Sequence, residues 1–327
     1  MSLAAPLLLH YNVDCLAPCG SSGQLVAGLS NFIGPCWTGG IALLSAAGEG
    51  PAQLQTLVEL RAGVPALACL HRVDEFTGRR VLAIGSDDGC VELWYVSGEA
   101  LELSQAKMLH SGAVAGLAAA PGASQLASAS ADGTLRVWDC GQLLTSTAQL
   151  GSGGAAQHAV AWTADASTLA SVGDAGSLCL WDTRQLGSAP VAVAAVGAKA
   201  LSLAAAPAGG KQLLVVGDLL GRVSVFDARS LGKPLQQRQL HADAVHALAA
   251  AGSGGGSGSL LASGADDGAI MLLDCADLAA SRQLAPPRPE GQVPCYIRAL
   301  AWQSPDGSSR QQLYRGGWDQ IVAPVPL

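Results

Sequence analysis

Five segments of this 327-residue chain repeat one pattern: GSDDGCVELWYV, SASADGTLRVWDC, SVGDAGSLCLWDT, VGDLLGRVSVFDA and SGADDGAIMLLDC. Aligned on an aromatic residue or its substitute, they place Trp94, Trp138, Trp181, Phe226 and Leu273 at intervals of 44, 43, 45 and 47 residues. Self-similarity at a fixed period marks a repeat architecture, and it restricts the fold more tightly than any composition. The local chemistry of the unit is consistent. Asp88-Gly89, Asp132-Gly133 and Asp267-Gly268 suit tight hairpin turns, because Gly tolerates positive φ and Asp can bond the local backbone. After the turn the sequence alternates, as in Thr134–Trp138, which predicts a half-buried strand. Before it lies a second strand, such as Val81–Ser86 or Gln125–Ser130. A more apolar run precedes that one, such as Val114–Ala119, Ala159–Trp162 or Ala244–Ala250.

With a connecting outer strand, each unit is a four-stranded sheet, and its period is that of a WD-repeat blade. Two degenerate copies flank the clear ones. The first uses Gln24–Ser30 and Gly40–Leu44 as its hairpin; the last uses Gln311–Arg315 and Ile321–Val325 around Trp318-Asp319-Gln320. The total is seven. The last copy ends without an outer strand, and Pro6–Tyr11 is the natural supplier. Pairing the two chain ends would remove the open edges of the ring. The expected fold is therefore all-β: a seven-bladed WD-repeat β-propeller closed by an N-terminal strand. It is a single domain over residues 1–327, with residues 1–12 as the closing outer strand of the last blade. The Gly/Ser tract Gly252–Gly258 reads as a flexible insertion between the first two strands of blade six.

Half of the residues are hydrophobic and 13% are charged, enough apolar material for a large core and too much for disorder. A net charge of −7 argues against binding a nucleic-acid backbone and is compatible with a basic protein partner. The abundance of Ala and Gly reads as a compositional habit, without fold information. No stretch approaches the roughly 20 apolar residues of a membrane span. The apolar N-terminus lacks a basic region and a small-residue cleavage site, so it reads as a strand. Nine scattered cysteines with no CxxC imply reduced thiols in a cytosolic or nuclear setting, and Cys15 and Cys19 lack a second pair for zinc. Cys90 and Cys179 fall in strand patterns as small apolar side chains.

No nucleophile elbow, dinucleotide fingerprint or complete phosphate loop occurs. Gly209-Gly210-Lys211 is a turn with a lysine in it, and His10, His71, His158 and His246 stand apart from obvious ligand companions. The repeat accounts for most Asp and Trp residues. The expectation is a non-enzyme with no catalytic residue, metal or cofactor, acting as a recognition platform through its loops.

One segment departs from the unit. In blade two, Asp87 and Asp88 alone separate Ser86 from Gly89; in blade one, nine residues separate Ser30 from Gly40. The blade-one turn is expanded, and the added residues include Phe32, Ile33, Cys36 and Trp37. Such a loop either folds back on its blade or offers a contact.

The stretches LVAGLSNFIGPCWTGGIALL, LAIGSDDGCVELWYV, CLWDTR, VGDLLGRVSVFDARS and GGWDQIVAPV resemble the methylosome WD-repeat family, from about Gln24 to the C-terminus. That family partners the type II protein arginine methyltransferase, which makes symmetric dimethylarginine. The resemblance implies a non-catalytic adaptor in a hetero-oligomer of cytoplasm and nucleus, presenting histone tails and Sm-type proteins as substrates. Trp37 would be the anchor on the enzyme, with Phe32, Ile33 and Cys36 beside it. Likeness to WD repeats also implies buried networks of His110, Ser128, Asp132 and Trp138, and of His241, Ser263 and Asp267 with Leu273 in the Trp position. Asp88 and Trp94 take the corresponding structural places in blade two. The short N-terminal extension, the absence of a Pro-rich tail and the blade-six glycine tract depart from the family.

Trp181-Asp182-Thr183-Arg184 and Phe226-Asp227-Ala228-Arg229 also resemble the Trp-Asp-x-Arg box of substrate receptors for cullin–RING ubiquitin ligases. There an Arg can fork to a partner's carboxylate, or simply pair with its own turn. A scaffold propeller in a large assembly is the third reading.

Overall fold

In the computed structural model, the described residues are all except 1–6, 21–22, 34–35, 47–51, 74–78, 123–124, 142–143, 152–153, 165, 186–188, 209, 252–259, 286–294 and 304–310. They form seven four-stranded antiparallel sheets, each ordered from an inner first strand to an outer fourth one. Blade three is the clearest example: Val114–Ala119, Gln125–Ser130, Leu135–Asp139 and Thr145–Leu150. The alternation seen in the sequence is that of its third strand, where Leu135, Val137 and Trp138 are buried and Arg136 is half-buried.

Ring closure uses both chain ends. The last blade takes Ile297–Gln303, Gln312–Gly317 and Ile321–Val325 from the C-terminus and Leu7–Leu8 from the N-terminus, with Leu7 opposite Val322 and Leu8 opposite Ile321. The Leu9 amide continues the pairing to the Gln320 carbonyl at 3.0 Å. Of the N-terminal segment expected here, residues 1–6 lie outside the described residues, and the pairing ends with the Leu9 amide, short of the expected residue 12. Side chains also bridge the seam between blades seven and one: the Tyr314 hydroxyl donates to the Ala46 carbonyl at 3.2 Å. The Gly252–Gly258 tract lies outside the described residues, between Val245–Ala250 and Leu260–Ala265 of blade six.

Apolar layers fill the spaces between adjacent blades. One contains Leu126 and Trp138 of blade three with Ala83 and Val91 of blade two; another contains Leu214 and Phe226 of blade five with Val172 and Leu178 of blade four. Glycine sets how closely the blades approach, which corrects its reading as mere composition. A Cβ on Gly85 would lie 2.5 Å from Val114 Cγ1, on Gly217 2.6 Å from Val245 Cγ1, on Gly264 2.4 Å from Ile297 Cγ2, and on Gly316 2.4 Å from Val13 Cγ1. These four glycines sit at the end of second strands, each against a β-branched residue on the first strand of the following blade, blade one following blade seven. In close-packed interiors such space cannot absorb a methyl group without displacement.

Candidate functional site

Antiparallel alternation brings every turn between a second and a third strand to one face of the ring. On this face lie the Asp-Gly turns, the histidines at the blade entrances and the lengthened hairpin of blade one.

Blade three holds a complete network. Trp138 Nε1 donates to Ser128 Oγ at 2.9 Å, and Ser128 Oγ lies 2.7 Å from His110 Nε2. His110 Nδ1 is 3.1 Å from Asp132 Oδ2. A carboxylate can only accept, which puts a proton on Nδ1, and burial favours the neutral ring, so that Nε2 accepts from the Ser128 hydroxyl. The Thr134 hydroxyl and amide bond Asp132 Oδ1 at 2.7 and 2.9 Å, and the Ser111 amide reaches Oδ2 at 3.0 Å. Burial pushes the Asp132 carboxyl up, but these donors and His110 outweigh it and bring its pKa to about 2. Burial lowers the His110 pKa against the pull of Asp132. Every polar member is bonded, as buried polar groups require.

Blade six holds the shorter version. His241 Nε2 is 2.8 Å from Ser263 Oγ and Nδ1 is 3.4 Å from Asp267 Oδ1, while Leu273 fills the Trp position fully buried. The Asp267 carboxyl is pushed up by burial and brought below its usual range by His241 and the Ala242 and Ala269 amides. Blade two differs again. Asp88 accepts from the Ser86 hydroxyl, and Trp94 donates its indole N–H to Glu92 at 2.8 Å.

The expanded turn of blade one is a hairpin, which corrects its reading as a loop. Its second and third strands, Gln24–Ile33 and Cys36–Ser45, pair continuously through Asn31↔Thr38, Phe32↔Trp37 and Ile33↔Cys36. The ladder therefore runs three pairs beyond Ser30↔Gly39. Trp37 lies on this extension and is 57% exposed. The side chains of Phe32, Ile33 and Cys36 are outside the described set; their strand positions are described. In the adjoining blade seven, Trp318 is 40% exposed at the corresponding turn. Its indole N–H donates to Asp14 at 2.9 Å, the Arg298 guanidinium carbon lies 4.4 Å from its ring centre, and Tyr296 meets it edge-on at 5.6 Å. Asp14, Tyr296 and Arg298 carried no repeat signal, because this cluster joins residues from both chain ends.

Arg298 also reaches His246 Nδ1 at 3.1 Å and Asp266 Oδ2 at 3.2 Å. His158 bonds Asp174 at 2.7 Å and His246 pairs with Asp266 at 3.2 Å, so two histidines that seemed isolated have turn carboxylates as partners. Among the described residues no group of three or more His, Cys, Asp and Glu side chains could hold a metal ion. First strands line a central cavity of about 210 Å³, with Asp14, His158, Ser202, His246 and Arg298 as its polar contributors.

The Trp-Asp-x-Arg segment of blade four is closed on itself. Trp181 is buried and donates to Ser171 Oγ at 3.0 Å. Arg184 forks onto Asp182, Nε to Oδ1 at 2.9 Å and Nη2 to Oδ2 at 2.8 Å, and holds the Asp182 pKa at about 2. The fork that would meet a partner carboxylate is engaged within its own turn.

Residues 105–139, from the end of the outer strand of blade two through the third strand of blade three, match the family model "WD domain, G-beta repeat". The chain carries a WD repeat on a seven-bladed propeller. Among solved structures, a chain from "Crystal Structure of Mitotic Checkpoint Complex" superposes with a TM-score of 0.72 at 16% identity, over 100% of this chain and 89% of that one. That likeness is one of fold. No curated protein matches the sequence. A WD-repeat propeller indicates a protein-interaction scaffold or adaptor, a class that is generally non-enzymatic.

Proposed function

We propose that this chain is the non-catalytic adaptor of a type II protein arginine methyltransferase, and that the blade-one hairpin is its principal grip on the enzyme. The observation that carries the reading is Trp37: a 57% exposed indole on a ladder that extends beyond the paired core of its blade. Exposed tryptophan is the residue type most enriched among interface anchors. Burying its exposed part, about 140 Å² of a side chain of about 250 Å², corresponds to about 3.5 kcal/mol of gross hydrophobic gain at roughly 25 cal/mol per Å². The likeness of the Cys36-Trp37 segment to the methylosome family selects the methyltransferase among possible partners. A net charge of −7 and the turn aspartates on the same face suit basic substrates such as histone tails and Sm-type proteins.

The test is Trp37→Ala in the full chain, with the affinity for the methyltransferase measured by titration. The expected loss is about 2–4 kcal/mol, or roughly 30- to 1000-fold in Kd. Affinity equal to that of the wild type, in a variant with an unchanged melting curve, would overturn the anchor.

A further inference from the structure

Six of the seven first strands share one irregularity. Just inside the start of each, the pairing with the second strand skips a residue. The skipped residues are Asp14 in blade one, Ala115 in blade three, His158 in blade four, Leu201 in blade five, His246 in blade six and Arg298 in blade seven. A bulge leaves its extra residue unpaired and re-aims the side chain. All six line the central cavity of about 210 Å³. Their neighbours pair with the last residues of second strands, so the six ring the cavity's mouth on the face that carries Trp37.

The charges around this mouth are unevenly neutralised. Over blade four, His158 and Lys199 share Asp174 at 2.7 and 3.1 Å. Over blades six and seven, Arg298 pairs with Asp266, Nε lying 3.1 Å from Oδ1 and Nη2 donating to Oδ2 at 3.2 Å. The same guanidinium lies over the Trp318 ring. The mouth thus already holds one guanidinium between an indole face and a carboxylate. Over blades one and two the carboxylates have no such partner. Asp14 is half-buried and accepts from the Trp318 indole, Asp87 is exposed on the blade-two turn, and among the described residues neither forms an ion pair. Both stand at the foot of the Trp37 hairpin. Asn12, two residues before Asp14, pairs with Ser30, and a Cβ on Gly63 would lie 2.3 Å from Asp87 Oδ2 and 3.1 Å from Ser30 Cβ. Burial raises the Asp14 carboxyl and the charge of Asp87 adds to the rise, so a cation placed here would relieve both.

We propose that this side of the mouth binds arginine side chains of a basic polypeptide, with the guanidinium held between Asp14, Asp87 and the exposed part of the Trp318 ring. A planar guanidinium can fork to carboxylates and stack on an aromatic face, which an ammonium cannot do. Arg298, on the same indole, makes both kinds of contact within the chain. The inference rests on the adaptor reading for the kind of polypeptide offered, and adds the place where the adaptor itself holds it. That place is next to the hairpin assigned to the enzyme, so one face would carry both partners.

The experiment titrates a fluorescent peptide of Gly-Arg-Gly repeats into the full chain, without the enzyme, and reads anisotropy. Saturable binding is expected, several-fold weaker for Gly-Lys-Gly repeats and absent for Gly-Glu-Gly repeats. Asp14→Asn and Asp87→Asn keep the side-chain shape, and each is expected to weaken binding about tenfold through loss of a charge-assisted contact. Glu102→Gln removes an equal charge from the outer strand of blade two and is expected to leave the affinity unchanged. The site is refuted by absence of binding, by unchanged affinity in both aspartate variants, or by an equal loss in Glu102→Gln. Binding of the glutamate peptide would also refute it and assign the mouth to Arg298. Equal affinity for the lysine peptide would overturn the choice of guanidinium. The enzyme titration keeps the two readings apart. A chain that grips the methyltransferase through Trp37 but ignores the arginine peptide sinks this inference alone. One that binds the peptide yet holds the enzyme equally well after Trp37→Ala sinks the adaptor reading alone. Should Asp14→Asn not fold, a photo-reactive arginine peptide on the wild-type chain decides. Label on Trp318 and the turns of blades one and two supports the site, and label confined to outer strands overturns it.

Discussion

Blades one and three build the same hairpin between second and third strands and use tryptophan in opposite ways. In blade three the ladder ends at Ala129↔Leu135, the turn follows, and Trp138 is buried against Ser128. In blade one Gly28↔Ile41 takes the place of that pair, Leu44 lies at the Trp138 position fully buried, and Ala27 stands where Ser128 stands. The ladder then continues, and the tryptophan appears outside, at Trp37. A propeller therefore does not need the polar network in every blade. Apolar packing between blades suffices where the network is missing, and the hairpin is released for display. The Trp in blade three is built into a fold, whereas the Trp in blade one stands 57% exposed beyond its blade's core.

The largest effect that can break this contrast is a truncation of each indole. Trp138→Ala leaves a cavity between blades two and three and removes the indole donor from the Ser128 hydroxyl, which keeps His110. The expected cost is about 3–5 kcal/mol, read as a lower denaturant midpoint. Trp37→Ala is expected to stay within about 0.5 kcal/mol of the wild type. Equal losses in the two variants would mean that Trp37 is part of its own blade's core.

A smaller effect tests how closely blade one approaches blade two. Gly28 takes the place that Gly85 holds in blade two, and in Gly28→Ser the added Cβ would lie 2.4 Å from Cys15 Sγ and 2.5 Å from the Val64 carbonyl. One of those neighbours is backbone and cannot move aside alone. Destabilisation of about 1–3 kcal/mol is expected from overpacking, measured by chemical unfolding. A neutral result would show that the glycine is incidental to the blade's packing.

Much of this architecture was legible because its signals are local. Asp132-Gly133 and the alternation after it lie within a few residues, and hairpins are decided on that scale. The His110, Ser128, Asp132 and Trp138 grouping followed from the likeness to WD repeats. The course of the segment around Trp37 was not legible. Gly34 and Pro35 punctuate it like a loop, whereas whether Asn31 pairs with Thr38 depends on the ladder below it. The interblade glycines had a readable signal in their recurrence at the ends of second strands, hidden by the general abundance of glycine. The Trp318 cluster had none, since Asp14 lies 304 residues away from its indole partner.

The smallest effect is one of pH, and its sign separates a network blade from a display blade. Asp132 has a folded pKa of about 2, below the ordinary carboxylate value near 3.9. A depressed carboxylate stabilises the fold fully above the unfolded pKa and loses that contribution as pH falls from about 4 towards 2. Asp132→Asn keeps the shape but removes the charge, so it is expected to cost about 1 kcal/mol at pH 7, with the deficit shrinking over that acid window. His110, lowered by burial, acts at higher pH. Below about 6.5 the unfolded imidazole takes a proton that the folded one resists, so stability falls with pH there. Because Asp132 pulls the His110 pKa up, that fall is steeper in Asp132→Asn, so the deficit widens below about 6.5 before it shrinks from about 4 towards 2. Melting curves of both proteins from pH 8 to pH 2 supply the measurement. A deficit that stays constant down to pH 2 would mean that Asp132 holds its turn by shape alone, and that the charge contributes nothing to what distinguishes blade three from blade one.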